Sequence, residues 1–213
     1  MTRVIAVQKT AARFRTQKSP ARMPAAERRA YLLEAAARII LTDGFEALTM
    51  ESLAAGAGVS KGLGYAYFEN AEEVALALFE REIASMYAKV GEAMDAEAPF
   101  EARVRAAIST YLDIVVARGA LIAILQNRLS GRRLRKSVRA RLGPFFELWT
   151  RHIRAALRAS RGEAEILAAI VLSASDSLGR AVGARRMARR AAEDLFVAFV
   201  LAGLRGATRQ RRH

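Results

Sequence analysis

The stretch AGAGVSKGLGYAYF, residues 55–68, holds the residue types that come nearest to a known chemistry. Its four glycines and its Ser-Lys pair suggest a loop whose backbone amides cradle a nucleotide phosphate. The order of residues argues against this, because a P-loop ends in Gly-Lys-Ser or Gly-Lys-Thr, whereas here Ser60 precedes Lys61 and Gly62. The glycine spacing also departs from the G-x-G-x-x-G dinucleotide fingerprint, and no strand pattern leads into it. The stretch therefore needs another explanation.

Other side chains that carry enzyme chemistry are scarce in this chain. It has no cysteine and only two histidines, His152 and His213, which excludes disulfides, thiolate metal sites and cysteine nucleophiles. A zinc site or a histidine-driven triad lacks the partners that it needs. We expect no cofactor and no metal, and an enzyme of unknown type stays an alternative that no constellation of residues supports.

Positive charge is concentrated in two blocks without acidic residues. The net charge is +14, and residues 1–22 contain six Lys or Arg while residues 128–141 contain seven. Such blocks attract polyanions, nucleic acid first, although basic residues also simply solvate helix faces and tails. The N-terminal block is either an inert tail or a flexible arm that follows phosphates or enters a minor groove.

Apolar periodicity predicts an all-α protein with about nine helices. Alanine, leucine and arginine dominate the composition, and apolar residues recur at helical spacing in successive segments. The expected helices begin near residues 24, 49, 60, 70, 99, 120, 142, 163 and 190. The longest apolar runs, 120–125 and 166–172, are shorter than a membrane span, so we expect a soluble cytoplasmic protein with no membrane partner.

Two short helices joined by a glycine turn form a helix-turn-helix whose second helix can enter the DNA major groove, and the stretch from Arg28 to Leu78 has this layout. The run TMESLAAGAGVSKGLGYAYFENAEEVALALF resembles the DNA-binding domain of the tetracycline-repressor (TetR) family over about residues 24–80. The matching motifs are G-F-x-x-L-T at 44–49, L-A at 53–54, A-G-V-S at 57–60, K-G at 61–62 and Y-x-Y-F at 65–68. Beyond residue 80 only the helical layout and the length are similar.

The resemblance implies a double-stranded DNA operator as the partner of this region. The residues implied to contact DNA are Thr49, Ser60, Lys61, Gly62, Leu63, Tyr65 and Tyr67. Thr49 and Tyr67 would meet phosphates, and residues 60–63 would open the recognition helix within reach of base edges. Leu63 and Gly64 depart from the family's small hydroxyl residue and leucine. Because two glycines in so short a helix cost roughly 1 kcal/mol each relative to alanine, we expect weak helix formation before DNA binds.

In the same family, later helices surround a small-molecule pocket and the last two helices pair with a second subunit. The ninth predicted helix is apolar on nearly every side, which by itself favours contact with a second subunit. The resemblance implies a homodimer through helices eight and nine. The candidate ligand-binding residues are Tyr111, Val115, Leu121, Leu125, Phe145, Trp149, Ile153, Ser173 and Asp176, with Asn127 and His152 as further polar candidates. For the apolar ones, ordinary core packing is the competing reading. The basic block beside apolar helices suggests an apolar or acyl-CoA-like effector.

We divide the chain into a basic tail (1–23), a helix-turn-helix domain (24–70), a ligand-binding and dimerisation domain (71–207) and a basic C-terminal tail (208–213). The predicted function is a sequence-specific DNA-binding regulator, a repressor that a small hydrophobic or amphipathic ligand releases from its operator. A basic architectural DNA-binding protein without an effector is the main alternative.

Overall fold

The computed structural model describes residues 23–129 and 132–209, apart from the side chains of residues 132–139 and 207–209. Within these residues the chain is all-helical and has no β-strand, which confirms the predicted fold class. The elements are α1 Ala25–Asp43, a 3₁₀ turn Phe45–Ala47, α2 Met50–Ala57, α3 Lys61–Tyr65, α4 Ala71–Asp95, α5 Phe100–Arg128, α6 Arg132–Leu157, α7 Arg161–Gly183 and α8 Arg189–Arg209. The arm predicted for residues 1–22 lies outside the described residues.

The chain divides into two compact units, the first ending at Val74 and the second beginning at Ala75. The first unit packs α1, α2 and α3 around aliphatic and aromatic side chains. Its core residues Leu32, Leu33, Ile40, Leu53 and Phe68 are each at most 1% exposed. Burial of a side chain of this size stabilises a fold by roughly 1.5–3 kcal/mol. These residues hold the three helices in a fixed arrangement.

Local hydrogen bonds define the turn between α2 and α3. Thr49 Oγ1 accepts the amide of Ser52 at 3.0 Å, and Ser52 Oγ accepts the amide of Thr49 at 2.9 Å. α2 ends at Gly58, whose φ of 63° and ψ of 37° lie in the left-handed region that favours glycine. Ser60 Oγ then accepts the amide of Leu63 at 3.2 Å and opens α3. The predicted caps and the predicted glycine turn are confirmed.

The second unit has one hydrophobic core to which α4 through α8 all contribute. Met94, Leu112, Ile153, Ala168 and Val197 come from these five helices in turn, and each is completely buried. Small residues on α7, such as Ala168, permit close approach of the neighbouring helices. The core therefore fixes the helices whose side chains line the cavity described below.

Two helices are longer than the sequence predicted. α5 continues through Gly119, so the described residues contain eight α-helices rather than about nine. A glycine inside a helix costs about 1 kcal/mol but keeps its amide donor, and the buried Leu121 and Leu125 continue the apolar face beyond it. α6 begins at Arg132 rather than near Leu142, so Pro144 lies inside a helix. Proline there removes one backbone hydrogen bond without ending the helix.

Two helices of the second unit, α5 and α7, have the length and apolar composition of a membrane span. Core helices of water-soluble proteins share these properties. Both helices also supply fully buried residues to the core, Leu112 from α5 and Ala168 from α7. In each helix 22% of the most apolar window is buried inside the protein, and two helices of this length and composition are weak evidence for a membrane span.

Candidate functional site

The residues predicted to contact DNA all reach the surface of the first unit. Thr49, Ser60, Lys61 and Gly62 are exposed, and Leu63 and Tyr67 are partly buried. Tyr65 is 49% exposed, which is unusual for a large apolar ring. The fold thus presents the start of α3 and the two tyrosines to solvent on a short helix that follows a tight turn, the arrangement of a helix-turn-helix reading surface.

Lys61 is held by an acidic residue on the neighbouring helix. Its ammonium forms an ion pair with the carboxylate of Glu51 in the first turn of α2. The same ammonium lies 5.8 Å from the centre of the Tyr65 ring. Hydrogen bonding and Coulomb attraction to Glu51 raise the pKa of Lys61, and the same pair lowers the pKa of Glu51. Both groups are therefore charged at neutral pH.

Tyr67 is positioned by Arg28, a residue of α1 that the sequence did not single out. Arg28 Nη1 donates a hydrogen bond to the Tyr67 hydroxyl oxygen at 3.0 Å. Arg28 Nη2 donates to the carbonyl of Met23 at 2.6 Å. Because the guanidinium can only donate, the Tyr67 O–H proton stays available for an external acceptor such as a phosphate. Its partner is 39 residues away, so no local pattern revealed it.

The short α3 is formed in spite of its two glycines. Gly64 is buried, and a Cβ built there would lie 3.4 Å from Met50 Cε, the flexible end of a side chain. Gly62 has open space around it. Nothing in the structure explains sterically why glycine stands at these positions. The expected weak helix formation before DNA binding stays a prediction.

A cavity of about 340 Å³ lies in the second unit, within the size range of small-molecule sites. Four aromatic rings from α4, α5 and α6 contribute to its wall, and Tyr87 and Phe145 stack with their ring centres 4.3 Å apart. The lining residues are Met86, Tyr87, Val90, Ala107, Ile108, Tyr111, Gln126, Leu142, Phe145, Trp149, Leu172, Ser173, Ser175 and Asp176. The cavity is amphipathic, with polar groups contributed by α4, α5 and α7.

Five of the predicted ligand-binding residues lie on the cavity wall, namely Tyr111, Phe145, Trp149, Ser173 and Asp176. Leu121, Leu125 and Ile153 are instead completely buried away from it, and Val115 is partly buried against the core. The wall also contains residues of α4, among them Met86 and Tyr87, that the sequence analysis assigned no ligand role. Their helical apolar spacing was visible, but it is the same for a core face and a cavity face.

Tyr111 is the most perturbed group in the cavity. Burial raises its pKa to about 12, the carboxylate of Asp176 adds to the increase, and Arg180 opposes it. Burial also raises the pKa of Tyr87, again with a contribution from Asp176. Both phenols are therefore protonated at neutral pH and can donate hydrogen bonds. The Tyr111 hydroxyl lies against the backbone of Gly179, where a Cβ would be 2.2 Å from it.

His152 belongs to a polar cluster rather than to the cavity wall. Its Nε2 lies 2.8 Å from Asp95 Oδ1, and its Nδ1 lies 3.0 Å from Arg103 Nη1. Since arginine only donates, Nδ1 accepts and Nε2 carries the proton that it gives to Asp95. Asn127, the other polar candidate, is exposed and is also absent from the wall. Within the described residues no group of three or more His, Cys, Asp or Glu could hold a metal ion.

Comparison with known proteins decides what the first unit is. Residues 32–78 match the profile described as "Bacterial regulatory proteins, tetR family". The chain carries the N-terminal domain of the TetR family. The resemblance that the sequence motifs indicated is thereby confirmed, and the match includes α2, the turn at Gly58 and α3.

Curated relatives of the chain include two HTH-type transcriptional regulators and a fatty acid metabolism regulator. The chain is 34% identical over 94 residues to "HTH-type transcriptional activator FasR" of Mycolicibacterium smegmatis, covering 44% of this chain and 43% of that protein. It is 33% identical over 100 residues to "Uncharacterized HTH-type transcriptional regulator YhgD" of Bacillus subtilis, covering 47% and 52%. It is 24% identical over 109 residues to the "Fatty acid metabolism regulator protein" of Bacillus subtilis, covering 50% and 56%. The matches span about half the length of these relatives.

Solved structures of transcriptional regulators resemble the chain over most of its length. A putative transcriptional regulator from Pseudomonas aeruginosa PAO1 gives a TM-score of 0.76 at 17% identity and covers 90% of this chain and 97% of that one. The transcriptional regulator FadR from Bacillus subtilis, in complex with stearoyl-CoA, gives a TM-score of 0.67 at 18% identity and covers 82% and 98%. At these identities the likeness concerns the fold alone.

Proposed function

We propose that this protein is a cytoplasmic, sequence-specific DNA-binding regulator that represses transcription as a homodimer and leaves its operator when a small amphipathic ligand binds. The observation that carries the proposal is the exposed α2–turn–α3 surface inside the segment that matches the TetR family. The named relatives with this domain are regulators of transcription. No catalytic role is proposed.

Contacts with DNA divide into those that position the protein and those that read the sequence. Lys61 and Tyr67 supply a cation and a hydroxyl donor for phosphates, which carry affinity but little sequence information. Thr49 and Ser60 are engaged in capping through their oxygen lone pairs, and Ser60 keeps an O–H that can donate. Leu63 presents an apolar surface that suits the methyl group of a thymine. Gly62 and Tyr65 would border the groove.

Exposed apolar residues on α7 and α8 support a homodimer through these two helices. Ile166 and Ile170 on α7 are 63% and 51% exposed, and Leu195 and Phe199 on α8 are 58% and 60% exposed. The two residues of each pair are four apart and so share one face of their helix, and contiguous exposed apolar surface marks an interaction site. A two-fold dimer would present two α3 helices to half-sites about one helical turn of DNA apart.

The cavity of the second unit supports a ligand with an apolar body and a polar end. Its aromatic and aliphatic wall suits an acyl chain or a similar group, and Tyr87, Tyr111, Ser173 and Gln126 offer hydrogen bonds. A FadR of the same fold is described in complex with stearoyl-CoA. We therefore propose an acyl-type effector. Two arginines of the basic block are already engaged, Arg141 with Glu80 at 3.6 Å and Arg128 with a partner of its own.

Selection of binding sites from a random duplex library tests the DNA-binding proposal. With purified full-length protein, we expect one sequence class to be enriched. Lys61→Ala and Tyr67→Phe should weaken binding to this sequence and to unrelated DNA alike, whereas Leu63→Thr should change the preference among mutated sites. Equal affinity for every sequence would favour the architectural alternative, and equal losses for Leu63→Thr across a site series would exclude its contact with bases.

Sedimentation tests the proposed homodimer, and thermal shifts test the proposed acyl-type effector. Leu195→Glu and Phe199→Glu should produce monomers, whereas Val116→Glu, at an exposed apolar residue of α5, should not.

Acyl-CoAs and free fatty acids of graded chain length at 100 times Kd should stabilise the protein by about 2.7 kcal/mol. Ser173→Phe, which fills the cavity from its wall, should abolish this gain. A ligand series without any stabilisation would refute the acyl-type effector.

A further inference from the structure

We propose that Glu51 restrains Lys61 and thereby lowers the affinity of the α3 surface for DNA of any sequence. The inference rests on the proposed DNA-binding function. The carboxylate of Glu51 and the ammonium of Lys61 form an ion pair between α2 and α3, although both side chains are more than half exposed. The cation expected to meet a DNA phosphate therefore already has an anionic partner within its own domain.

The carboxylate of Glu51 interacts favourably with two positive features at the same time. It stands in the first turn of α2, where the helix dipole and the free amides favour negative charge. It also neutralises Lys61, the first residue of α3. A DNA phosphate would be attracted by the same two features. Glu51 thus competes with the DNA backbone from inside the protein.

Among the residues that the structure describes, the Tyr65 ring is the other group placed to hold Lys61. The Tyr65 ring lies 5.8 Å from the ammonium and offers a weak cation–π contact that a phosphate would not disturb. To form an ion pair with a DNA phosphate, Lys61 has to give up its ion pair with the Glu51 carboxylate. The number of ion pairs made by Lys61 therefore does not increase. Nonspecific DNA, which offers only phosphates, gains least from that exchange.

The size of the expected gain in DNA affinity follows from the exposure of the ion pair between Glu51 and Lys61. Exposed ion pairs change an equilibrium by at most about fivefold, and loss of an anion beside the phosphates adds to this. We expect Glu51→Gln to bind nonspecific duplex DNA about three to ten times more tightly than the wild type. Because Lys61 then replaces counterions at a phosphate without first losing Glu51, the slope of log K against log salt should steepen by up to about 0.9.

Fluorescence anisotropy with a labelled duplex of random sequence, at a series of NaCl concentrations, tests the proposal on the full-length protein. The variants are Glu51→Gln, Lys61→Gln and the double variant. Glu72→Gln is the matched control, because it removes an equal charge from an exposed carboxylate in the first turn of α4. We expect a gain in affinity for Glu51→Gln, at most a twofold gain for Glu72→Gln, and no gain from Glu51→Gln once Lys61 is glutamine.

Two outcomes would overturn the proposal while leaving DNA binding intact. In the first outcome, Glu51→Gln binds no more tightly than Glu72→Gln. In the second, the gain from Glu51→Gln persists undiminished in the Lys61→Gln background, which indicates general repulsion of DNA rather than restraint of Lys61. Failure of the proposed function has a different signature, because Lys61→Gln would then bind as well as the wild type. Circular dichroism and thermal unfolding of each variant verify that the substitutions leave the helical fold intact.

Discussion

Gly179 on α7 gives the sharpest test of the packing around the cavity. A Cβ at this position would lie 2.2 Å from the Tyr111 hydroxyl oxygen and 3.0 Å from Tyr111 Cζ. Neither separation is sustainable, and Gly179 is buried, so the tyrosine ring has to move. Gly179→Ala should therefore destabilise the protein and displace a ring of the cavity wall.

Two opposing contributions set the change in the free energy of unfolding that Gly179→Ala produces. Overpacking of a buried site costs about 1–3 kcal/mol, whereas glycine to alanine inside a helix contributes about 1 kcal/mol in the opposite direction. The net loss for Gly179→Ala should be about 0–2 kcal/mol. Gly162→Ala on the same helix, where nothing lies within 4 Å of the added Cβ, should instead be neutral or stabilising by up to about 1 kcal/mol.

Thermal and urea unfolding at one fixed protein concentration, followed by circular dichroism, would measure both variants. For a chain of this size 1 kcal/mol corresponds to roughly 2–4 °C in Tm. Tyr111→Phe removes the closest atom, so the cost of Gly179→Ala should fall in that background, and the double-mutant cycle should show a coupling of about 0.5–3 kcal/mol. If Gly179→Ala raised Tm as much as Gly162→Ala, the close contact between Gly179 and Tyr111 would be refuted.

Two further predictions concern backbone strain and proton binding. Arg185 has a φ of 57°, in the left-handed region. Arg185→Gly should therefore raise the free energy of unfolding by about 0.5–1 kcal/mol, whereas Arg186→Gly at the next residue should lower it. The opposite order of stabilities in urea unfolding would contradict this prediction. Because burial raises the pKa of Tyr111 to about 12, the unfolded chain loses this proton first as pH rises above 10. The wild type should therefore lose about 1–3 kcal/mol of stability relative to Tyr111→Phe between pH 10 and 12, and a constant difference between the two proteins would exclude the raised pKa.

The parts of the fold that the sequence predicted are those that neighbouring residues determine. The cap at Thr49, the turn at Gly58 and the cap at Ser60 each depend on groups within three residues or on one backbone conformation, so type and spacing were enough. The residues predicted to contact DNA followed from the resemblance to the family motif, and their contacts stay a prediction. Leu41 shows the limit of periodicity, because it continues the apolar stripe of α1 and is nevertheless 48% exposed at the helix end.

The cavity and the contact between Arg28 and Tyr67 could not be predicted from local patterns. Leu121 and Tyr111 share the same helix and similar apolar spacing, yet one is in the packed core and the other lines the cavity. Which of them meets empty space depends on where α6 and α7 lie, and spacing along one helix does not contain that information. Arg28 was missed for the same reason, since its contact with Tyr67 joins two distant segments.

Trp149 gives the protein an optical probe of its own cavity. It is the chain's single tryptophan, it is 2% exposed, and it forms part of the cavity wall. Excitation at the red edge of the absorption band, where the chain's five tyrosines absorb little, therefore gives emission from one indole at one known place. A bound molecule that changes the polarity around that ring would shift or quench this emission, so candidate effectors can be screened without a label, a reporter gene or knowledge of the operator.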